Sequence, residues 1–229
     1  MELRAENVSM RFFRKRGEAN FFEAVCPVSL TLKSGEMTVL KGKSGSGKTT
    51  LTHILAGLLN PYEGKVLLDG TDLYAQSDVS LSRLRNEKIG MIPQGRSAVD
   101  TLTVYENILL PGLLYGKGED RTAKAEEWMN KLGIAELRDA MPAELSGDEL
   151  RRLAIARVLA ADPEVIMADE PTGDLDDENT RIVLEAFHSI AHEKNRLVFI
   201  VTHESDVLPY ADRVLSMDNG RISFPVSNT

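Results

Sequence analysis

The sequence predicts an α/β fold that is split by a helical insertion, and three features of its 229 residues indicate this. Apolar runs typical of buried strands alternate with helical patterns before residue 95 and again after residue 161. A glycine-rich loop separates one such strand from the helix that follows it. The segment between the two strand-rich parts shows helical periodicity and no convincing strand. We therefore predict a single domain, 1–229, with an α/β core at 1–94 and 162–229 and a helical insert at 95–161.

The amino-terminal part contains most of the predicted strands. Alternating apolar and polar residues predict strands over 3–13 and 25–33, and a short apolar run that ends in glycine predicts a buried strand at 37–42. A helix is expected from about Lys48 to Leu58, with a turn at 60–64. Patterns for a strand and turn, a helix and a strand follow at 65–70, 79–87 and 88–92.

The rest of the chain is helical at first and then returns to alternating strands and helices. In the insert, Ala125, Met129 and Leu132 share one helical face, and a second amphipathic run covers 149–160. Trp128 lies in the first of these helices and is expected to pack in the core. Strands are predicted at 165–168, 197–201 and 213–217, and a helix near 178–193. The Asn-Gly pair at 219–220 is typical of a hairpin turn.

Composition excludes several classes of protein. The formal charge of −8 argues against a nucleic-acid surface, and the one compact basic run, RFFRKR at 11–16, is expected to be a strand end and loop. The single cysteine, Cys26, excludes an internal disulfide framework and is expected to fill space in a strand. The sequence MELRAENVSM lacks the apolar centre of a signal peptide, and no apolar run approaches the length of a membrane span. We therefore expect a cytoplasmic protein.

The glycine-rich loop carries the clearest chemical signal. Residues 42–49, GKSGSGKT, fit the pattern of a phosphate loop and stand between a predicted strand and a predicted helix. Glycines at 42, 45 and 47 let backbone N–H groups face phosphates, together with Lys43, Ser44, Ser46 and the following Thr50. Lys48 is expected to reach the β- and γ-phosphates, and the Thr49 hydroxyl to ligate Mg²⁺.

Carboxylates and a histidine follow two further buried strands. VIMADEP at 165–171 ends in Asp169, which is expected to hold Mg²⁺, and Glu170, a candidate general base. His203 directly follows the strand LVFIVT. Because ligands of parallel sheets bind at the carboxyl ends of strands, these side chains and Thr49 are expected at one edge. The other histidines, His53, His188 and His192, fall in helical patterns, and no function is expected of them.

These motifs, with Gln94 after a strand, LSG at 145–147 and TGDLD at 172–176, occur in one order along nearly the whole chain. The set resembles the ATP-binding-cassette ATPases of membrane transporters. VYENILLPGLLYG and ADEPTGDLD are similar to the lipoprotein-release, macrolide-export and cell-division branch of that family. The resemblance implies a P-loop NTPase core of the RecA type, with an amino-terminal antiparallel β-subdomain and an inserted helical subdomain.

The resemblance also implies a role for each matching residue, with ATP and Mg²⁺ as ligands. Gln94 matches the residue that contacts Mg²⁺ and water and senses the permease. Asp169 matches the Mg²⁺ acid, Glu170 the catalytic base, Asp176 the dimer-loop aspartate and His203 the γ-phosphate switch. Phe12 is the candidate for the aromatic residue that stacks on adenine, with Phe13 as the alternative.

Such ATPases act as head-to-tail dimers, in which the Leu-Ser-Gly-Gly-Gln helix N-terminus of one subunit, here Ser146 and Gly147, faces the ATP of the other. This sequence departs from that pattern with Asp148 and Glu149. At about 4–6 Å and an effective dielectric near 20, Asp148 would repel a γ-phosphate by roughly 3–4 kcal/mol. Three alternatives remain open: the charge weakens the site, the side chain turns away and caps its own helix, or the residue is not the natural one at this position.

The resemblance predicts the ATP-hydrolysing subunit of a transporter. Two copies would close over two MgATP and move a separate permease of the cell-division or macrolide-export type at the inner face of the membrane. The alternative is an ATP-dependent regulator of a membrane protein that transports no cargo. A groove for a permease helix is expected around residues 94–115, where Leu109, Leu110 and Leu113 are expected to be core rather than interface.

Overall fold

The computed structural model describes residues 1–13, 21–114 and 121–224 and contains two β-sheets flanked by helices. The predicted fold class is confirmed: a mainly parallel sheet is joined to an antiparallel sheet, and helices occupy the middle of the chain. Residues 14–16 of the basic run lie outside the described residues. The described Arg11 donates to Glu23 at 3.0 Å, so its charge is paired.

The antiparallel sheet is formed by the amino-terminal strands. It contains β1 (Glu2–Phe13), β2 (Phe21–Lys33), β4 (Glu63–Leu68) and β5 (Thr71–Asp72), in the order β2-β1-β4-β5. Strand β2 begins four residues before the predicted start, because its first residues pair with the end of β1, as Phe22 does with Phe12. The register is irregular between Ala5 and Arg11, where β1 bends.

The second sheet supplies the edge on which the chemistry lies. It contains β3 (Glu36–Gly42), β6 (Ile89–Ile92), β7 (Val165–Asp169), β8 (Leu197–Thr202), β9 (Arg213–Asp218) and β10 (Arg221–Ser223). The order is β10-β9-β3-β8-β7-β6, with β10 antiparallel to β9 and the other pairs parallel. The predicted hairpin at 219–220 joins β9 to β10, with positive φ at both residues. Since β3, β7 and β8 run parallel, their carboxyl ends meet at one edge.

The helices cover this sheet and fill the middle of the chain. They are α1 (Lys48–Leu55), α2 (Asp78–Lys88), α3 (Val104–Leu114), α4 (Thr122–Lys131), α5 (Gly147–Ala160) and α6 (Asp177–Glu193), with short 3₁₀ turns at Ala135–Leu137, Pro142–Glu144 and Leu208–Tyr210. Helix α1 ends three residues before the predicted Leu58, because Gly57 takes a left-handed φ of 71°. No helix of the described part is long and apolar enough to cross a membrane.

Two apolar clusters hold these layers together. One packs α3, α4, α5 and α6 against one face of the parallel sheet, with Trp128 buried in it as predicted. The other lies between the antiparallel sheet, α1 and the opposite face. The prediction that Leu113 is core is wrong: it is 72% exposed, while Leu109 packs against the core. Helix α3 is mostly apolar and its faces differ little in hydrophobicity, so its sequence alone does not show which face is buried.

A charged cluster ties α4 to the chain that follows α5 and α6. The carboxylate of Asp162 lies 2.9 Å from Lys124, 3.3 Å from Arg196 and 3.8 Å from Lys194. Burial acts to raise the pKa of Asp162, but the hydrogen bond from Lys124 and the three positive charges hold it below its ordinary value. The cluster therefore favours the folded state most when Asp162 is ionised.

Candidate functional site

The phosphate loop connects the end of β3 to the start of α1, as predicted. Gly45 and Gly47 take positive φ values of 77° and 105°, a conformation that other residues rarely adopt. A Cβ at Gly47 would lie 2.1 Å from the Ala24 carbonyl oxygen, so only glycine fits there. The loop is fixed from outside by the β9–β10 hairpin, because the Gly220 N–H donates to the Ser46 carbonyl at 2.9 Å.

Lys48 lies at the first position of α1 and is almost fully buried. Its ammonium donates to the carbonyl oxygens of Gly42 at 2.7 Å and Lys43 at 3.1 Å. The same ammonium is 3.7 Å from Oε1 of Glu170. The loop therefore holds a buried positive charge next to a carboxylate from the neighbouring part of the sheet.

Asp169 ends β7 in a buried position. Its side chain is 1% exposed, and neither carboxylate oxygen has a hydrogen-bond partner among the described residues. Burial raises the pKa of Asp169 above its usual range, and the nearby Thr49 hydroxyl acts in the opposite direction. A buried carboxylate left without donors beside a hydroxyl has the donor chemistry of a Mg²⁺ site.

Glu170 and His203 meet at the ends of β7 and β8. Oε2 of Glu170 accepts hydrogen bonds from the Thr202 hydroxyl at 3.0 Å and the His203 N–H at 3.3 Å. It also lies 3.0 Å from Nδ1 of His203. Glu170 has a positive φ of 50°, and such strained backbone is common at functional sites. The Glu170 carboxylate is thus held in place at the mouth of a cavity, where it can orient a water molecule and accept its proton.

A cavity of about 500 Å³ is lined by part of the phosphate loop together with Glu170 and His203. The predicted residues Gly42, Lys43, Ser46 and Asp169 do not line it. Its walls include, of the residues expected from the sequence, Phe12, Ser44, Gly45, Gly47, Lys48, Thr49, Thr50, Gln94, Glu170 and His203. Phe12 is half-buried and its ring centroid is 5.7 Å from that of Phe22. Phe13 is 79% exposed and does not line the cavity, which favours Phe12 for stacking.

The sequence did not point to the other wall residues. Phe22, Glu23 and Ala24 come from β2, and Asn219 and Gly220 from the β9–β10 hairpin. The pairing of β1 with β2 brings Phe22 opposite Phe12. Because this placement depends on strand register and on a hairpin far along the chain, no local sequence signal indicated it.

Ser146 and Gly147 lie outside this cavity. Both are exposed at the start of α5, where Ser146 is the N-cap. Oε2 of Glu149 accepts from the Ser146 N–H at 2.8 Å and the Ser146 hydroxyl at 2.9 Å. The backbone and hydroxyl hydrogen bonds from Ser146 lower the pKa of Glu149. This is a capping box, and the Ser-x-x-Glu spacing in the sequence could have indicated it.

Asp148 turns away from the start of α5 and pairs with Arg152. Oδ2 of Asp148 accepts from Nη2 of Arg152 at 2.6 Å and from Nε at 3.0 Å. Nη1 of the same guanidinium donates to the Leu132 and Gly133 carbonyls, which follow α4. The geometry matches the alternative in which the side chain points away, although Asp148 takes no part in the capping box, which Ser146 and Glu149 form.

Two arginines of α5 that no sequence signal indicated, the buried Arg151 and the partly buried Arg157, connect this helix to the segment around Gln94. Arg151 donates through Nη1 to the Pro93 carbonyl at 2.7 Å, and through Nη2 to the carbonyls of Asp169 and Glu170. Burial lowers its pKa, although the nearby carboxylates oppose this. Arg157 donates to the Ser97 carbonyl and hydroxyl, both at 2.7 Å. Both arginines therefore fix the segment on either side of Gln94.

Comparisons with known proteins agree with this geometry. The profile of the ABC transporter family matches residues 25–173. The lipoprotein-releasing system ATP-binding protein LolD of Aquifex aeolicus (strain VF5) is 39% identical over 221 residues, which cover 96% of this chain and 95% of that protein. The macrolide export ATP-binding/permease protein MacB of Chlorobaculum tepidum is 37% identical over 198 residues, 86% of this chain and 30% of that protein.

Solved structures share the whole fold. The dimeric structure of MJ0796, a bacterial ABC transporter cassette, has a TM-score of 0.89 at 31% identity and covers 98% of this chain and 99% of that one. A post-hydrolysis dimer of MJ0796 bound to ADP and Pi has a TM-score of 0.90 at 30% identity, with the same coverage.

Proposed function

This chain belongs to the ABC transporter family as an ATP-binding cassette ATPase, and we propose that it is the ATP-binding subunit of a transporter of the lipoprotein-release or macrolide-export branch. Two copies would close head to tail over two ATP molecules and move a separate membrane permease.

One observation carries the head-to-tail arrangement. The phosphate loop and Glu170 line one cavity, whereas Ser146 and Gly147 are exposed outside it. A single chain therefore offers two separate parts for binding phosphate, and a second copy would bring the start of its α5 to the open side of the cavity. The dimeric cassette MJ0796, which is similar over nearly the whole chain, supports this reading.

We propose that Mg²⁺ binds with ATP. The buried, unpartnered carboxylate of Asp169 and the Thr49 hydroxyl fit such an ion, with Gln94 as a further oxygen ligand from the cavity wall. When bound, Mg²⁺ would neutralise charge on the β- and γ-phosphates.

Residues of the chain itself would bind the phosphates, activate the attacking water and hold the adenine ring. Lys48 would exchange its loop carbonyls for phosphate oxygens and stabilise negative charge there. Glu170 would orient the attacking water and accept its proton, held in place by Thr202. His203 would donate a hydrogen bond to the γ-phosphate, and Phe12 would stack on adenine.

The rest of the chain would couple ATP hydrolysis to the permease. Residues 95–161 would form the helical subdomain inserted into a core of 1–94 and 162–229, with Asp176 at the dimer interface. The exposed Leu113 and Leu114 at the end of α3 would contact a permease helix near Gln94. We place the protein in the cytoplasm, attached to the inner face of the membrane through that permease.

The dimer is tested with a chain that binds ATP and hydrolyses it slowly. Glu170→Gln keeps an oxygen to accept from Thr202 and His203, but it removes the base. We expect this variant to reach twice the monomer mass by light scattering in excess MgATP, and to be monomeric without nucleotide. The matched control combines Glu170→Gln with Lys48→Ala and should stay monomeric. A Glu170→Gln protein that remains monomeric in excess MgATP would overturn the proposal.

The partner is tested separately by affinity purification from native membranes. We expect one membrane protein with spanning helices to copurify with the wild-type chain and less with a Leu113→Glu, Leu114→Glu variant. Equal recovery with both chains would contradict the docking surface, and recovery of no membrane protein would contradict the transporter assignment.

A further inference from the structure

Two histidines and a carboxylate meet at the edge of the parallel sheet opposite the phosphate loop. His188 and His192 are four residues apart near the end of α6, with ring centroids 4.2 Å apart. Asp212 directly precedes β9. Each of the three residues offers one ligand atom, and these atoms lie within 4.8 Å of one another. All three side chains are exposed.

Hydrogen bonding sets the protonation of the His192 ring. Nδ1 of His192 lies 2.8 Å from the carbonyl oxygen of His188. A carbonyl oxygen only accepts hydrogen bonds, so Nδ1 carries a proton, and Nε2 is the ring nitrogen that can bind either a second proton or a metal ion. Metal-binding histidines commonly donate their other ring N–H to a carbonyl in this way.

The other ring nitrogen, Nε2, faces a carboxylate oxygen. Nε2 of His192 lies 3.1 Å from Oδ1 of Asp212. Two lone pairs at this distance repel unless a cation, either a proton or a metal ion, lies between them. With ligand bonds of about 2.0–2.2 Å and angles of about 90–110°, two ligand atoms of one metal ion stand about 2.8–3.6 Å apart. The observed separation falls in that range.

Asp212 is held in position from the other side. Its Oδ2 accepts from the Met37 N–H at 2.7 Å, and its own N–H donates to the Met37 carbonyl at 3.0 Å. Oδ1 therefore stays directed at His192, while the His188 ring completes a two-histidine, one-carboxylate set. Both histidines come from one helical face, because residues i and i+4 are neighbours on a helix.

We propose that His188, His192 and Asp212 bind a divalent late first-row transition metal ion, with Zn²⁺ as the representative. Imidazole nitrogen with a carboxylate suits these ions, and water would complete the coordination. The ion would join the end of α6 to the start of β9. Asp212 pairs with Met37 at the start of β3, and the phosphate loop follows Gly42, about 17 Å along the same strand. The metal ion would thus stabilise the fold and would not contact the reacting phosphate.

Metal binding is tested on the full chain without an affinity tag, by titration with Co²⁺ and by Zn²⁺ competition against a chromophoric chelator. We expect one Co²⁺ per chain at this site, with a visible absorption band that Zn²⁺ removes. His188→Gln leaves both contacts of His192 in place and should weaken binding at least tenfold, as should His192→Gln. Zn²⁺ should raise the melting temperature of the wild type and not that of either variant.

Matched controls separate this site from the nucleotide cavity. His53→Gln and His203→Gln remove the other two histidines of the chain, and both variants should bind Co²⁺ as the wild type does. Two results would overturn the proposal. One is the absence of Co²⁺ binding by a folded wild-type chain, which would leave an ion pair of protonated His192 with Asp212 only. The other is equal binding by the wild type and His188→Gln, which would place the ion elsewhere.

Discussion

Replacing Asp148 by glycine tests how the start of α5 is arranged. The ion pair with Arg152 is mostly shielded, since the two side chains are 25% and 12% exposed. Its loss should cost about 1–1.5 kcal/mol, more than the roughly 0.3–0.5 of an exposed pair on a helix. Glycine within the first turn adds about 0.5–1 kcal/mol, and the lost acid near the helix N-terminus about 0.3–1.

Together these terms predict that Asp148→Gly lowers the free energy of unfolding by about 2–3.5 kcal/mol. For a chain of this size, the melting temperature should fall by roughly 4–14 °C. A double-mutant cycle with Arg152→Met isolates the ion pair, and its coupling energy should be about 1 kcal/mol. A coupling energy near zero in urea unfolding would refute the pairing.

ATP turnover of the same variant decides between the alternatives for Asp148. From charge alone, removing Asp148 should raise turnover, because a negative charge no longer faces phosphate. With the carboxylate paired to Arg152 at 2.6 Å, little repulsion remains to be relieved. We therefore expect steady-state turnover within about twofold of wild type, which corresponds to about 0.4 kcal/mol. A tenfold increase would show that Asp148 does face the nucleotide.

Three further predictions concern other parts of the molecule. Glu149→Gln keeps an acceptor for Ser146 but removes a negative charge from the N-terminus of α5. ATP-driven dimerisation, measured by light scattering, should therefore strengthen about two- to fivefold. Unchanged dimerisation would contradict an effect of this charge. The ionised Asp162 carboxylate stabilises the fold above pH 3.8, its ordinary pKa, and this stabilisation is lost as the pH falls through the lower pKa of the folded state. Asp162→Asn should therefore melt about 2–4 °C below wild type at pH 6. A difference in melting temperature that persists at about pH 2 would contradict this. Phe12→Ala should weaken ATP binding by about five- to hundredfold in calorimetry, whereas an equal loss in Phe13→Ala would reject stacking by Phe12.

Much of the fold and of the candidate site could be predicted because its signals are local. Gly45 and Gly47 follow a buried strand, and Asp169 and Glu170 end another. Parallel pairing then brings both strand ends to one edge. The ends of helices were predicted less accurately, and α1 ends before the predicted residue because of Gly57. The exposure of Leu113 could not be predicted either, because it depends on which face of α3 packs against α5.

Most contacts of α5 could be identified only in the folded structure. Arg151 and Arg157 look like ordinary polar positions of an amphipathic helix, yet both are partnered with backbone carbonyls near Gln94. The direction of Asp148 depends on Arg152, which in turn is held by carbonyls after α4. The i, i+4 spacing of Asp148 and Arg152 could have indicated their pairing, whereas the carbonyl partners of the three arginines are remote in sequence, so spacing alone could not identify those contacts.

The sequence by itself therefore determined the kind of chemistry: a phosphate loop, an acidic strand end and a signature helix, in an order that a cassette ATPase requires. Those features depend on residue type and short-range spacing, which the backbone converts directly into turns and strand ends. Tertiary structure alone decided which aromatic ring enters the cavity, which backbone carbonyls Arg151 and Arg157 reach, and that the pair His188 and His192 meets Asp212. Each of these outcomes depends on distances between segments that are remote along the chain, and only packing sets such distances.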